Sequence, residues 1–177
     1  MRFTECEIDG VVVVELEPIV DERGWFARSW CAREVADHGL NARLVQCNLS
    51  HNKEAGTLRG LHYQTQPFQE AKLVRCVAGA MFDVAVDLRA GSSTYRKYFG
   101  IELRSSSNSM LYVPEGCAHG FITLVPETQI LYLMSEFYEP SHSAGIRWDD
   151  PAIGIDWPRS VTVISERDRN YPDLHAR

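Results

Sequence analysis

Short apolar runs with a two-residue alternation dominate the chain, and they predict strands. Residues 11–16 are rich in β-branched side chains. Residues 72–77 and 81–88 read as strands flanking Ala78-Gly79-Ala80, a hairpin signal. In the second of these, Phe82, Val84, Val86 and Leu88 share one face, and Asp83 and Asp87 share the other. Further strands are predicted over 98–103, 110–113, 120–124 and 130–134, separated by Gly91-Ser92-Ser93, Ser105-Ser106-Ser107-Asn108, Pro114-Glu115-Gly116 and Pro126-Glu127. One helix is predicted from about Ala32 to His38, with Ser29 near its start and Gly39 as its stop, and a second helical turn near Ser165. The region containing Pro140, Pro151, Pro158 and Pro172 reads as irregular chain laid over the sheets. Many short strands with little helix imply an all-β sandwich, jelly roll or small barrel. No repeat or linker interrupts residues 1–177, which are expected to form a single domain.

Composition narrows the possible functions. A chain of 177 residues, 45% hydrophobic and 24% charged, is globular and can bury a substantial core. A net charge of −6 argues against an extended nucleic-acid surface. An acidic protein that binds an anion must instead gather its basic residues locally. Glu5, Glu7 and Asp9 do not suit a secretory signal, and no apolar run is long enough to span a membrane. The five cysteines are scattered without a Cys-x-x-Cys pair, which suggests neither a zinc cluster nor a disulfide framework. A cytoplasmic location is the natural expectation, with Cys76 and Cys117 acting as small hydrophobes.

The candidate chemistry centres on Arg59-Gly60-Leu61-His62-Tyr63-Gln64, closely followed by Lys72-Leu73-Val74-Arg75. This stretch supplies a possible base, an ammonium group and guanidinium groups for an anionic substrate. His119 follows the turn at Pro114-Glu115-Gly116, so two histidines and a lysine at strand ends are expected to line the mouth of a barrel. Each residue also has a plain structural reading. His62 can be a hydrogen-bonded histidine at a strand end, Tyr132 a core tyrosine between Ile130 and Met134, and Asp168 the last residue of a Ser-x-x-Asp capping box. Alternatively, Asp168 orients a histidine. Arg23, Arg59 and Arg75 are either surface arginines or a pyrophosphate-binding set. Asp83 is expected to share a cavity with Lys72, whereas Asp149, Asp150 and Asp156 read as turn and cap residues. A metal-binding jelly roll usually supplies a His-x-His pair, and Tyr63 and Gln64 after His62 provide none.

Taken together, these motifs resemble the dTDP-4-dehydrorhamnose 3,5-epimerase family. The resemblance extends from Asp21-Glu22-Arg23-Gly24 to Asp168 and includes Phe82-Asp83-Val84-Ala85-Val86-Asp87-Leu88-Arg89, Ala118-His119-Gly120-Phe121, Leu131-Tyr132 and Gly154-Ile155-Asp156-Trp157-Pro158. It implies a cupin-type jelly roll (a double-stranded β-helix) with a few short helices, a homodimer, no metal or organic cofactor, and a nucleotide-sugar substrate. By the same resemblance His62 is the general base, Asp168 its orienting partner, Lys72 the group that stabilises an enolate, and Tyr132 the acid on the opposite face of the sugar. Arg23, Gln46, Asn48, Arg59, His119 and Arg167 match substrate-contacting or neighbouring basic positions, and Tyr138 matches an aromatic that stacks on the nucleotide base.

Four positions depart from the family pattern. Arg28 and Ser143 stand where glutamate is common, Cys47 where aspartate is common and Leu133 where lysine is frequent. These departures keep open a CDP-linked substrate and inversion at C3 only. The competing classes are a metal-dependent cupin and a non-catalytic sugar-nucleotide binding module.

Overall fold

The computed structural model describes residues 1–174. Among these residues, fourteen strands and two short α-helices occur in the order β1 (Arg2–Glu5), β2 (Val12–Glu15), β3 (Ile19–Asp21), β4 (Gly24–Phe26), α1 (Ala32–Asp37), β5 (Gln46–Asn52), β6 (Thr57–Gln64), β7 (Lys72–Ala78), β8 (Ala80–Asp87), β9 (Tyr98–Arg104), β10 (Ser109–Val113), β11 (Cys117–Thr123), β12 (Thr128–Met134), β13 (Ser143–Gly145), β14 (Val163–Ile164) and α2 (Glu166–Arg169), with a 3-10 turn at Pro140–His142 before β13. One sheet has the order β1-β2-β10-β7-β12-β5 and the other β13-β6-β11-β8-β9, with β14 added parallel to β6. The strands β3 and β4 form a separate hairpin. This is the cupin-type jelly roll that the strand pattern and the resemblance implied.

The sheets pack face to face, and alternate residues of each strand enter the core between them. Val74, Cys76, Leu111, Val113 and Ile130 of the first sheet meet Met81, Ala85, Leu103, Cys117 and Phe121 of the second. The outer faces are also covered. Trp30 and Leu40 pack over Val12, Val14, Leu73 and Met110, while Ile153, Ile155 and Trp157 pack over Leu61, Val84, Val86 and Ala118. Burial pushes the Cys76 thiol up to about 11 and the Cys117 thiol up to about 12, so both behave as the expected small hydrophobes.

Several local expectations are corrected. Ala78-Gly79-Ala80 does not close a two-stranded hairpin. β7 pairs with β10 and β12, whereas β8 pairs with β11 and β9, so the turn carries the chain from one sheet to the other. Gly79 has φ +77°, a conformation that any side chain makes costly. The helix α1 is capped at Cys31 without a side-chain bond, so Ser29 does not cap it. His119 lies inside β11 and not at a strand end, because β11 begins at Cys117. The region after residue 140 is mostly irregular, yet it supplies β13 and β14, both paired to β6.

Candidate active site

Strand alternation places polar side chains where the core would otherwise continue. A cavity of about 290 Å³ opens between the sheets, lined by Asn48, Ser50, Arg59, His62, Glu70, Lys72, His119, Tyr132, Tyr138 and Arg167 among others. His62 and His119 come from β6 and β11 in the second sheet, where they are register partners. Tyr132 comes from β12 in the first sheet. The two sheets therefore present an imidazole and a phenol to the same cavity.

Nε2 of His62 lies 2.7 Å from Oδ1 of Asp168. The Ser-x-x-Asp segment is half a capping box: Ser165 caps the helix, but the Asp168 carboxylate bonds His62 and Gly60 N–H and does not return to Ser165 N–H. Ser165 Oγ accepts from the Asp168 backbone N–H at 3.0 Å, which caps α2 and leaves the carboxylate free for His62. Burial favours a raised Asp168 pKa, but the bonds from His62 and from Gly60 N–H outweigh it and hold the carboxyl below its ordinary value. An ionised carboxylate accepts the imidazole Nε2–H and leaves the lone pair on Nδ1. Tyr171 packs edge-on against His62, with ring centroids 5.8 Å apart. Gly145, opposite His62 in β13, makes room for Tyr171, because a Cβ there would lie 2.4 Å from the ring.

Glycines also shape the strand pair behind His62. A Cβ on Gly60 would lie 2.6 Å from Gly120 Cα, and one on Gly120 would lie 2.8 Å from Arg59 O. Gly60 also has φ +123°. The register between β6 and β11 shifts beside this contact, between His119 and Phe121. Both glycines are thus required by close backbone approach.

Lys72 is 6% exposed; its Nζ lies 3.0 Å from Glu70 Oε1 and donates to the His62 carbonyl at 3.1 Å. The Tyr132 hydroxyl lies 3.1 Å from Ser50 Oγ. Burial raises the Tyr132 phenol well above its ordinary value, opposed by the Ser50 bond and reinforced by Asp83. Tyr132 is therefore half a core residue, packed against the inter-sheet cluster, and half a cavity residue. His119 Nε2 lies 2.7 Å from Asp83 Oδ1, and its ring meets that of Tyr132 edge-on at 6.1 Å. Asp83 faces the core side with Lys72, but it stops behind His119 and does not line the cavity.

At the rim, Arg59 is oriented by Asn52 Oδ1 at 2.8 Å. Arg167 donates to Ser143 Oγ at 2.8 Å, and bonds with Arg167 and Ser143 hold the Tyr138 phenol below its ordinary value. Gln46 does not line the cavity. It accepts from Tyr138 N–H at 3.1 Å and donates to Asn48 Oδ1 at 3.1 Å, supporting two residues that do. Gln64 donates to Phe137 O and accepts from Glu139 N–H, so it also pins the segment carrying Tyr138.

Two arginines do not join this cavity. Arg75 lies an odd number of positions from Lys72 along β7, which turns it to the opposite face of the sheet. Arg23 sits between β3 and β4, is 82% exposed and pairs with Asp21. Of the four departures, only Ser143 lines the cavity. Arg28 pairs with Glu34, while Cys47 and Leu133 are register partners that alternate away from Asn48 and Tyr132. Sequence reasoning missed Ser50, Asn52, Glu70 and Tyr171, whose signals are only single polar or aromatic residues. Asp149 and Asp150 have the expected local roles, with Asp149 on Arg147 and Asp150 accepting from Ala152 N–H. Among the described residues, no three His, Cys, Asp or Glu side chains are grouped to hold a metal ion.

Known proteins share this fold and much of this sequence. Residues 5–176 match the family model described as dTDP-4-dehydrorhamnose 3,5-epimerase. A protein of that name from Sinorhizobium fredii is 45% identical, over 98% of this chain and 90% of its own. The crystal structure of dTDP-4-dehydrorhamnose 3,5-epimerase from Elizabethkingia anophelis superposes with a TM-score of 0.97 at 34% identity, covering 100% of this chain and 98% of that one. A dTDP-6-deoxy-D-glucose-3,5-epimerase from Legionella pneumophila, solved in complex with dTDP-4-keto-L-rhamnose, gives a TM-score of 0.91 at 36% identity, covering 98% and 93% of the two chains. With a match over nearly its whole length, this chain belongs to the dTDP-4-dehydrorhamnose 3,5-epimerase family of isomerases.

Proposed function

We propose that this protein epimerises a dTDP-linked 4-keto-6-deoxyhexose by proton transfer alone. The C4 ketone acidifies the hydrogens on C3 and C5. His62 removes one, the C–H electron pair passes into an enolate, and the Lys72 ammonium offsets the charge on its oxygen. Tyr132 then donates its O–H proton to the carbon from the other face. Solvent reprotonates the phenolate and takes the proton from His62. The observation that carries this reading is the opposition of a carboxylate-bonded imidazole on one sheet to a buried phenol on the other. Binding alone requires neither. Arg59, Asn48, His119, Tyr138 and Arg167 line the same cavity and are assigned to the nucleotide sugar, with Gln46 as support. The dTDP reading rests on the named relatives and on the location of three of the four departures outside the cavity.

The functional unit is inferred to be a homodimer of single-domain, cytoplasmic chains. The hairpin β3–β4 exposes Ile19, Val20, Trp25 and Phe26, each more than half accessible, and β5 is a sheet edge with exposed Leu49. A second copy covering these apolar residues would also carry Arg23 away from its own cavity toward a neighbouring one. Among the described residues, no helix is long and apolar enough to cross a membrane.

Proton NMR in deuterated water, with dTDP- and CDP-linked 4-keto-6-deoxyglucose side by side, tests the central reading. Deuterium is expected at C3 and C5 of the dTDP sugar, with none in His62→Ala. Wild-type exchange that survives His62→Ala removes the assigned base. A mixture of Arg23→Ala and His62→Ala chains tests the dimer, since activity restored by mixing requires that Arg23 serve the neighbouring site.

A further inference from the structure

Glu70 is a buried carboxylate in the cavity wall that takes no part in the chemistry above. Its side chain is 5% exposed, Oε1 lies 3.0 Å from Lys72 Nζ, and Oε2 is buried without a hydrogen-bond partner. The backbone between the two residues is anchored. Ala71 N–H donates to Ser135 Oγ at 2.7 Å, and Ala71 O accepts from Ser135 N–H at 3.0 Å. Glu70 and Lys72 are therefore held as a pair by the end of β12.

An ammonium group has three hydrogens. Lys72 gives one to the His62 carbonyl and ion-pairs with Glu70, which leaves N–H capacity for a ligand in the cavity. Without that counter-charge nothing on the Glu70 side holds the ammonium in place, and a donor that is not preorganised is a weak stabiliser of an enolate oxygen. A neutral amide at position 70 can occupy the same place but cannot supply the charge.

We propose, building on the epimerase reading, that Glu70 is a positioning residue. It holds the Lys72 ammonium in the cavity wall and turns its free N–H toward the oxygen on which the enolate charge develops.

The test compares wild type, Glu70→Gln, Lys72→Met and the double variant by solvent-deuterium wash-in. Lys72→Met is expected to lower kcat by about a hundredfold to a thousandfold, the scale of losing one preorganised donor. Glu70→Gln is expected to lower kcat by roughly tenfold or more and to change KM by less than about threefold, because the loss falls on transition-state charge. In the Lys72→Met background, Glu70→Gln is expected to cost nothing further, within about twofold. The double variant leaves no unpaired charge in the wall, so it remains informative even where Glu70→Gln alone folds poorly. An unchanged kcat in Glu70→Gln, or an equal loss in both backgrounds, overturns the proposal. The Lys72 ¹³Cε shift at one slightly alkaline pH gives a readout independent of activity. It is expected to move between wild type and Glu70→Gln, because the ammonium loses its ion-pair partner. A wild type without exchange defeats the epimerase reading, and the Lys72 shift still decides the role of Glu70, since an unmoved shift overturns it.

Discussion

His62 and Asp168 lie 106 positions apart in the chain, yet Nε2 of one is 2.7 Å from Oδ1 of the other. The second carboxylate oxygen accepts from Gly60 N–H at 3.2 Å, so Asp168 grips both the imidazole and the strand that carries it. Asp168→Asn keeps the shape but removes the charge that stabilises an imidazolium and fixes its tautomer. We expect kcat to fall by about a hundredfold to ten-thousandfold with a smaller change in KM. Steady-state kinetics checks this, and a loss below about threefold would show that the pair is structural only.

In the proposed mechanism Tyr132 and His62 act on opposite faces of the sugar, so exchange and inversion are separable. In Tyr132→Phe, His62 still removes a proton and can return a solvent-derived one to the same face. Deuterium is expected to enter recovered substrate with retention, while epimerised product falls by about a hundredfold or more. Removing the Ser50 hydroxyl with Ser50→Ala is expected to cost less, because it takes away only a neutral bond to the phenol. NMR of recovered substrate decides the point; inversion at the wild-type rate in Tyr132→Phe eliminates it as the acid.

Gly60 is required by geometry that no side chain suits. Gly60→Ala introduces a Cβ 2.6 Å from Gly120 Cα at a backbone φ of +123°. A loss of roughly 1–3 kcal/mol in stability is expected. Because the same residue precedes His62 by two positions, activity should fall as well. Denaturant unfolding measures the first effect, and a variant as stable as wild type would contradict the close approach of β6 to β11.

Acid should unfold the protein partly through Asp87. Burial works to raise this fully buried carboxyl, but bonds from Arg89, Ser92 and Thr94 prevail and hold it far below its ordinary value. The folded form therefore binds this proton less readily than the unfolded chain. Its stabilising contribution is complete above the ordinary carboxylate range and is lost as pH falls through about 4 and below. Asp168 acts in the same direction. Asp87→Asn should be much less stable than wild type at pH 7, and the gap should narrow by pH 3. Urea midpoints at the two pH values test this; a gap that stays constant assigns the acid sensitivity elsewhere.

Much of the fold was legible because strand alternation is a local property. The strands around 72–77, 98–103 and 130–134 appear where the apolar pattern puts them. Partner choice was not legible. Ala78-Gly79-Ala80 looks like a hairpin because the turn chemistry is the same whether a chain returns within one sheet or crosses to another. The face of β8 carrying Asp83 and Asp87 was likewise hard to read, since both faces of that strand are buried. Strand order thus depends on which surfaces meet, and alternation alone does not encode it.

The candidate site divides in the same way. Sequence by itself determined the chemical inventory: an imidazole, an ammonium group, a phenol and a carboxylate in motifs that resemble one family, set in short alternating strands. Tertiary structure decided which of them meet. It joined His62 to Asp168, set Tyr132 on the opposite sheet, paired Lys72 with Glu70, backed His119 with Asp83, and left Arg75 and Arg23 outside this chain's cavity. The physical reason is that side-chain direction follows local strand parity, whereas contact between distant strands follows from the packing of two sheets around one core.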